Sequence, residues 1–222
     1  MKETGIIMSG DHPTKCLDGT KTVTRRTWGL EKINEDPDLW HKPFYDEVTG
    51  YWNFWQVNTK EALSVKCPYG GVGDRLWMRE TLKEDEKGQW FYSADNELVL
   101  VRYKDELAMR AWAHHKELPY CPSLFMPRWA SRGLFEIIPG LRPERLQEIT
   151  KEDARAEGIL RFDSDHRDSN GGMGYNRGAP NLPMRYESKA AFMDLWDSIN
   201  AKRGYGWSVN PWVWVISFKL ES

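Results

Sequence analysis

Gly19-Thr20-Lys21-Thr22-Val23-Thr24-Arg25-Arg26 is the stretch on which the reading of this chain turns. It is β-branched and alternating, the pattern of a strand that turns one face to a core. Just before it, His12 to Leu17 predicts one or two helical turns, closed by Asp18-Gly19 as cap and turn. The polar groups admit two readings. In the plainer one, Lys21, Arg25 and Arg26 blunt a solvated edge strand against unwanted pairing. In the other they serve an anion or a nucleophile: a Thr hydroxyl needs a base, and a desolvated Lys can act as one. An ordinary Lys titrates near ~10.4, so that role requires burial or a cationic neighbour, for which Arg25 and Arg26 are candidates. A geometric condition goes with it. Residues three apart in an unbroken strand face opposite ways, so Lys21 and Thr24 converge only if the chain bends as it leaves Gly19.

Working outward, Ile6-Ile7-Met8-Ser9 reads as a buried strand. Residues 30–66 form an aromatic segment, with Trp40, Phe54 and Trp55, that predicts a hairpin insertion around the turn at Asp46 to Gly50. Gly70 to Asp74 is a tight turn into a strand over Arg75 to Glu80, and further strands are expected at Trp90 to Tyr92, Leu98 to Tyr103 and Leu134 to Ile138. Asp105 to Lys116 has helical propensity. Two prolines make Cys121 to Pro127 a constrained loop. Ile149 to Gly158 predicts a helix with Thr150 as N-cap, acids in its first turn and Gly158 ending it. Residues 161–184 are polar and rich in Gly and Asn, a long loop. Glu187 to Asn200 is an amphipathic helix with Ala191, Leu195 and Ile199 on one stripe, and Trp212 to Phe218 is the closing strand. This order predicts one α+β domain over residues 1–222, with insertions at about 30–66 and 161–186 and helices decorating a sheet that closes on itself.

Composition narrows the function. The chain has 222 residues, enough to bury a core without staples, and a formal net charge of −2, which argues against non-specific duplex binding but not against a small nucleoside. Twelve Trp supply core and binding platform alike. No apolar run is long enough for a membrane helix or a signal-peptide core. Cys16, Cys67 and Cys121 are odd in number and far apart, which makes no disulfide framework and fits a reducing cytoplasm. The cysteines are isolated and His114-His115 adjacent, so neither metal nor cofactor is expected. A phosphate-cradling Lys-Ser/Thr is absent after Gly70-Gly71-Val72-Gly73, and there is no G-x-S-x-G elbow.

Four motifs in order carry a resemblance. Gly19 to Arg26 resembles the G-x-K-T-x-T-x-R signature that opens ASCH domains, a branch of the PUA-like β-barrels. Gly73-Asp74-Arg75-Leu76-Trp77-Met78-Arg79-Glu80 is similar to that family's G-D-x-L-x-V-x-E turn and strand. Ile149 to Gly158 resembles its helix ending in Glu, and Trp212 to Phe218 its closing strand. Residues 121–132 and the Trp196 to Asn200 stretch further resemble the larger ASCH proteins of phages and prophages. The resemblance implies a PUA-like mixed β-barrel with decorating helices and long insertions, in a bacterial host cytoplasm if phage-encoded.

The smallest bacterial members of that family are N4-acetylcytidine amidohydrolases, about half as long as this chain. Carried over, their catalytic groups imply Thr24 as nucleophile, Lys21 as its activator and Glu157 as proton shuttle. For Glu157 the plain alternative is an exposed helix-end carboxylate; its place at the unfavourable end of the helix dipole calls for a nearby cation, which Lys21 could be. Arg25, Arg26, Arg79, Glu80, Arg128 and Trp129 are candidate substrate-binding residues. Glu80 is expected to pair with Lys21 or Arg26, and Trp129 either stacks a base or packs under the Pro127 turn. The expected partner is a nucleoside or single-stranded RNA. Two further functions stay open: a reader of modified bases without chemistry, and a ribonuclease.

Overall fold

The computed structural model describes residues 1–100, 120–159 and 187–221. The expected helix at 105–116, the end of the strand expected at 98–103 and the 161–184 loop lie outside the described residues.

The fold is α+β, with few helices and a mixed six-stranded sheet that curls into a half-barrel. Along one path the order is β1 (Glu3–Ile7), β6 (Arg75–Arg79), β10 (Leu134–Ile137), β12 (Trp212–Leu220), β11 (Arg142–Arg145), and β2 (Val23–Arg26) also pairs with β12. β1 runs parallel to β6; the other pairs are antiparallel. Nine residues long, β12 carries β2 along one edge and β10 followed by β11 along the other. Its run Trp212 to Ile216 is wholly buried because both faces are covered, which is why it reads as continuous apolar sequence.

The aromatic insertion forms a three-stranded antiparallel sheet of β3 (Phe44–Asp46), β4 (Tyr51–Trp55) and β5 (Ala62–Val65). Phe54 is fully buried edge-on to the Trp212 ring, at 5.1 Å, so this sheet caps the main core. A second small sheet, β7 (Leu82–Glu84), β8 (Trp90–Tyr92) and β9 (Tyr120–Cys121), has its own cluster around Leu82, Trp90 and Met126. On the other side, α2 (Lys151–Ala156) and α3 (Ser188–Asn200) pack Ala154, Ala191 and Trp196 around Val213 of β12, and α1 (His12–Leu17) precedes β2.

Several boundaries differ from the sequence reading. The stretch from Thr20 to Arg26 is not one strand: Lys21 forms an isolated bridge to Glu157, and β2 begins at Val23. Among the described residues of the strand expected at 98–103, Leu98 alone bridges back, to Phe91. The strand over Arg142–Arg145 was not foreseen, since Pro143 among three charged residues shows no strand pattern. It is tolerated because β11 pairs with β12 alone, leaving the proline on an edge. Ile199, expected on the buried stripe of α3, is 46% exposed. The three cysteines are buried and unpaired. None of the described helices is long and apolar enough to cross a membrane, and the described residues hold no cluster suited to a metal ion.

Candidate active site

The site is assembled where α1, β2 and the end of α2 meet. The N-cap Thr150 hydroxyl accepts from the Asp153 amide at 3.0 Å and starts the short helix; Glu157 closes it as C-cap, and Gly158 follows at φ +89°. That left-handed turn favours glycine, and the space does too: a Cβ there would lie 3.1 Å from Lys15 Cδ and 3.4 Å from Lys21 Cβ. The main chain of the bend is tied at two points. The Lys21 amide donates to the Lys15 carbonyl (2.8 Å) and the Thr22 amide to the Ala156 carbonyl (2.9 Å). Lys21 is thereby seated against the helix end before the strand begins.

There the Lys21 ammonium, 1% exposed, donates to Glu157 Oε2 at 2.5 Å and to the Glu157 carbonyl at 2.9 Å. On the other carboxylate oxygen, Arg25 Nη1 approaches Oε1 at 3.3 Å. Arg25 also reaches Glu144 Oε1 (2.6 Å) and Asp153 Oδ2 (2.8 Å), and its guanidinium sits 5.9 Å from the Phe192 ring centre. Burial alone would weaken the Arg25 charge, but the carboxylates of Glu157 and Glu144 outweigh it and hold the guanidinium more firmly protonated than usual. A buried charge is tolerable only when paired and hydrogen-bonded in this way. The helix-end carboxylate therefore has two cations where the dipole argument asked for one, and it is not a solvated residue.

Glu157, Thr24 and Arg25 border one cavity of about 590 Å³, within the range of small-molecule sites. Thr24 is 3% exposed, and its hydroxyl makes no hydrogen bond to a described group. Lys21 does not border the cavity and makes no hydrogen bond to Thr24. The bend at Lys21 is present, yet Lys21 still lies on the Arg25 side of the strand, as the alternation of 21, 23 and 25 requires. What Lys21 and Thr24 share is Glu157: one holds it, the other faces the cavity it enters.

Of the candidate binding residues, Arg26 and Arg79 border the cavity with Arg25; Glu80, Arg128 and Trp129 do not. The expected pairing of Glu80 with Lys21 or Arg26 is corrected. Glu80 is held by the Arg132 fork at 2.9 Å on both oxygens, because β6 neighbours β1 and β10 rather than β2. Arg128 lies against Glu3 and the Trp77 ring. Trp129 packs against the core of the second small sheet, the plainer of its two readings.

Sequence reasoning missed His12, Trp28, Tyr69 and Arg203, all on the cavity wall. Trp28 had a readable signal: Thr24, Arg26 and Trp28 follow the two-residue period that puts them on one face. Its ring is 53% exposed and meets Tyr69 edge-on at 5.3 Å. Burial pushes the Tyr69 phenol up, so it stays a neutral donor. His12, nine positions before Lys21, is held neutral: burial, with Lys21, Arg26 and Lys15 around it, drops its imidazole to about 2. Tyr69 and Arg203 come from distant sequence and carried no signal.

No protein-family model, curated protein or solved structure matches this chain.

Proposed function

We propose that the protein is an amidohydrolase acting on an acylated nucleobase, with N4-acetylcytidine as the model substrate. One observation carries the reading: Thr24, whose hydroxyl has no partner among the described residues, and a doubly held carboxylate, Glu157, border the same cavity. The curled half-barrel is the kind of scaffold an ASCH-type, PUA-like domain would supply, and the signature residues Lys21, Thr24 and Arg26 all lie in or beside the site.

In this reading Thr24 Oγ1 attacks the acyl carbon while Glu157 takes its proton. The tetrahedral oxyanion is met by donors already on the cavity wall, His12 and Arg26 among them. Collapse breaks the carbon–nitrogen bond, and the proton passes from Glu157 to the exocyclic amine, releasing cytidine. Water then hydrolyses the Thr24 ester to acetate and restores the hydroxyl. Lys21 acts on Thr24 through Glu157: its ammonium fixes the carboxylate and meets its charge. Such a group is a positioning residue, and its loss should lower turnover without removing the nucleophile.

The test is release of cytidine from N4-acetylcytidine by wild type, Thr24→Val and Glu157→Gln. Turnover by wild type and its loss in both variants supports the reading; equal turnover in all three, or none in wild type, ends it. A base-reading module without chemistry is the second reading, favoured by the exposed Trp28 ring beside Tyr69. It gains if cytidine derivatives bind and are returned unchanged.

A further inference from the structure

The cavity carries an imbalance of charge of which the hydrolytic reading uses only Arg26. Its acid, Glu157, is matched by Lys21 and Arg25. Three other guanidinium groups border the same space, those of Arg26, Arg79 and Arg203, and none pairs with a carboxylate among the described residues. In a chain whose formal net charge is −2 that is a local concentration of positive charge, not a background.

The backbone brings two of them to one place. Arg26 Nη2 donates to the Ile7 carbonyl at 2.6 Å, and Ile7 is in register with Arg79 across the parallel β1–β6 pair. Among the described residues Arg79 donates from Nε alone, to the Ser123 carbonyl at 3.0 Å, and its guanidinium sits 5.1 Å from the Trp77 ring centre. Its side chain lies across Gly5: a Cβ at Gly5 would come within 2.6 Å of Arg79 Cδ. A missing side chain on β1 thus makes the trough in which Arg79 runs. Arg203 closes the group from the end of α3; its charge and that of Arg26 both reach the Tyr69 phenol. Two buried polar atoms of residues that border the cavity, Arg26 Nε and Thr4 Oγ1, have no partner among the described residues. Buried donors of that kind are normally satisfied, so the wall has capacity for an acceptor.

We infer that the cavity takes a nucleoside monophosphate, with its phosphate on Arg26, Arg79 and Arg203 and its base on the Trp28 side. Guanidinium forks match phosphate oxygens, and three of them give a seat that a neutral nucleoside leaves empty. This rests on the cavity accepting a nucleoside at all, and adds that the charged form is the preferred one. A single nucleotide fits better than a long strand, because the near-neutral chain offers no excess of basic charge for a continuous track.

Calorimetry with cytidine, cytidine 5′-monophosphate, cytidine 3′-monophosphate and a trinucleotide with a central cytidine tests it. At low salt at least one monophosphate should bind wild type roughly tenfold or more tighter than cytidine, and added salt should shrink that ratio. In Arg79→Gln the ratio should fall towards one. Arg203→Gln, at an exposed position where the substitution leaves the core untouched, should narrow it as well. A trinucleotide weaker than the better monophosphate supports the free nucleotide, and a tighter one overturns it in favour of a strand. Cytidine and both monophosphates binding equally overturns the inference and leaves the nucleoside reading standing. No binding of any of them removes both.

Discussion

Arg25 and Arg132 are each surrounded by three carboxylates, and the two clusters have different fates. Arg25 holds Glu144, Asp153 and Glu157, with no side-chain exposure of its own. Arg132 holds Glu80, Asp95 and Glu97, lies over the Tyr92 ring at 4.0 Å, and joins the strand end of β6 to the loop after β8. The two networks have similar chemistry, although Arg132 also reaches the exposed Glu97. The first has a carboxylate that opens onto the cavity of about 590 Å³ and a second cation, Lys21, on its far side, whereas Glu80, Asp95 and Glu97 do not border that cavity. Charge clustering therefore does not mark a site; access to a ligand-sized space does. The Arg132 cluster is a clasp between the main sheet and a small one.

That contrast can be broken in several ways. The largest effect belongs to Glu157→Gln, which keeps the shape and removes the carboxylate; it should lower turnover of N4-acetylcytidine by about 10²–10⁴-fold while the protein stays folded, as steady-state rates and circular dichroism would record. Arg132→Ala should do the reverse. It strands the Glu80 carboxylate, 1% exposed, and should cost about 3–5 kcal/mol in urea unfolding while leaving turnover per folded molecule within about twofold. If Arg132→Ala lowers turnover as Glu157→Gln does, the two clusters are not separable.

A smaller effect is expected at the exposed wall of the cavity. Trp28→Ala should weaken cytidine binding by about 1–3 kcal/mol, as loss of a stacked base does, with little change in melting temperature because the ring is half in solvent. Unaltered affinity would remove Trp28 from the site. The smallest concerns pH. His12 stays neutral in the folded chain down to about pH 2, whereas unfolded it takes a proton below about 6.5. The unfolded state then binds more protons, so the stability contributed by neutral His12 is full above that value and drains away on acidification, by at most about 1.4 kcal/mol per pH unit. Between pH 7 and 5 wild type should lose more stability in urea titrations than His12→Gln; parallel losses would count against a buried neutral imidazole.

Much of this was legible in the residues because the signals were local. The Thr150 cap and Gly158 stop bracketed α2, the Asp18-Gly19 turn closed α1, and the apolar run at 212–218 announced the central strand. Lys21 and Glu157 were paired on the dipole argument, and they touch. Other parts failed for stated reasons. Glu80 was assigned to the signature strand because its strand was placed beside β2; the sheet order puts β1 and β10 there instead. Pro143 hid β11, since an edge position cannot be read from the residues alone.

Sequence by itself determined the α+β character, the Asp18-Gly19 turn and the helix between Thr150 and Gly158, because capping, turn chemistry and alternation act over a few neighbours. The set Lys21, Thr24 and Glu157 came from the family resemblance, and the bend after Gly19 entered only as a condition. Only the tertiary structure decided that Lys21 serves Glu157 rather than touching Thr24, that Arg132 claims Glu80, and that Arg26, Arg79 and Arg203 border one cavity. Those outcomes depend on which strands lie side by side and which faces a curled sheet turns inward, and pairing between segments tens of residues apart leaves no mark in either segment alone.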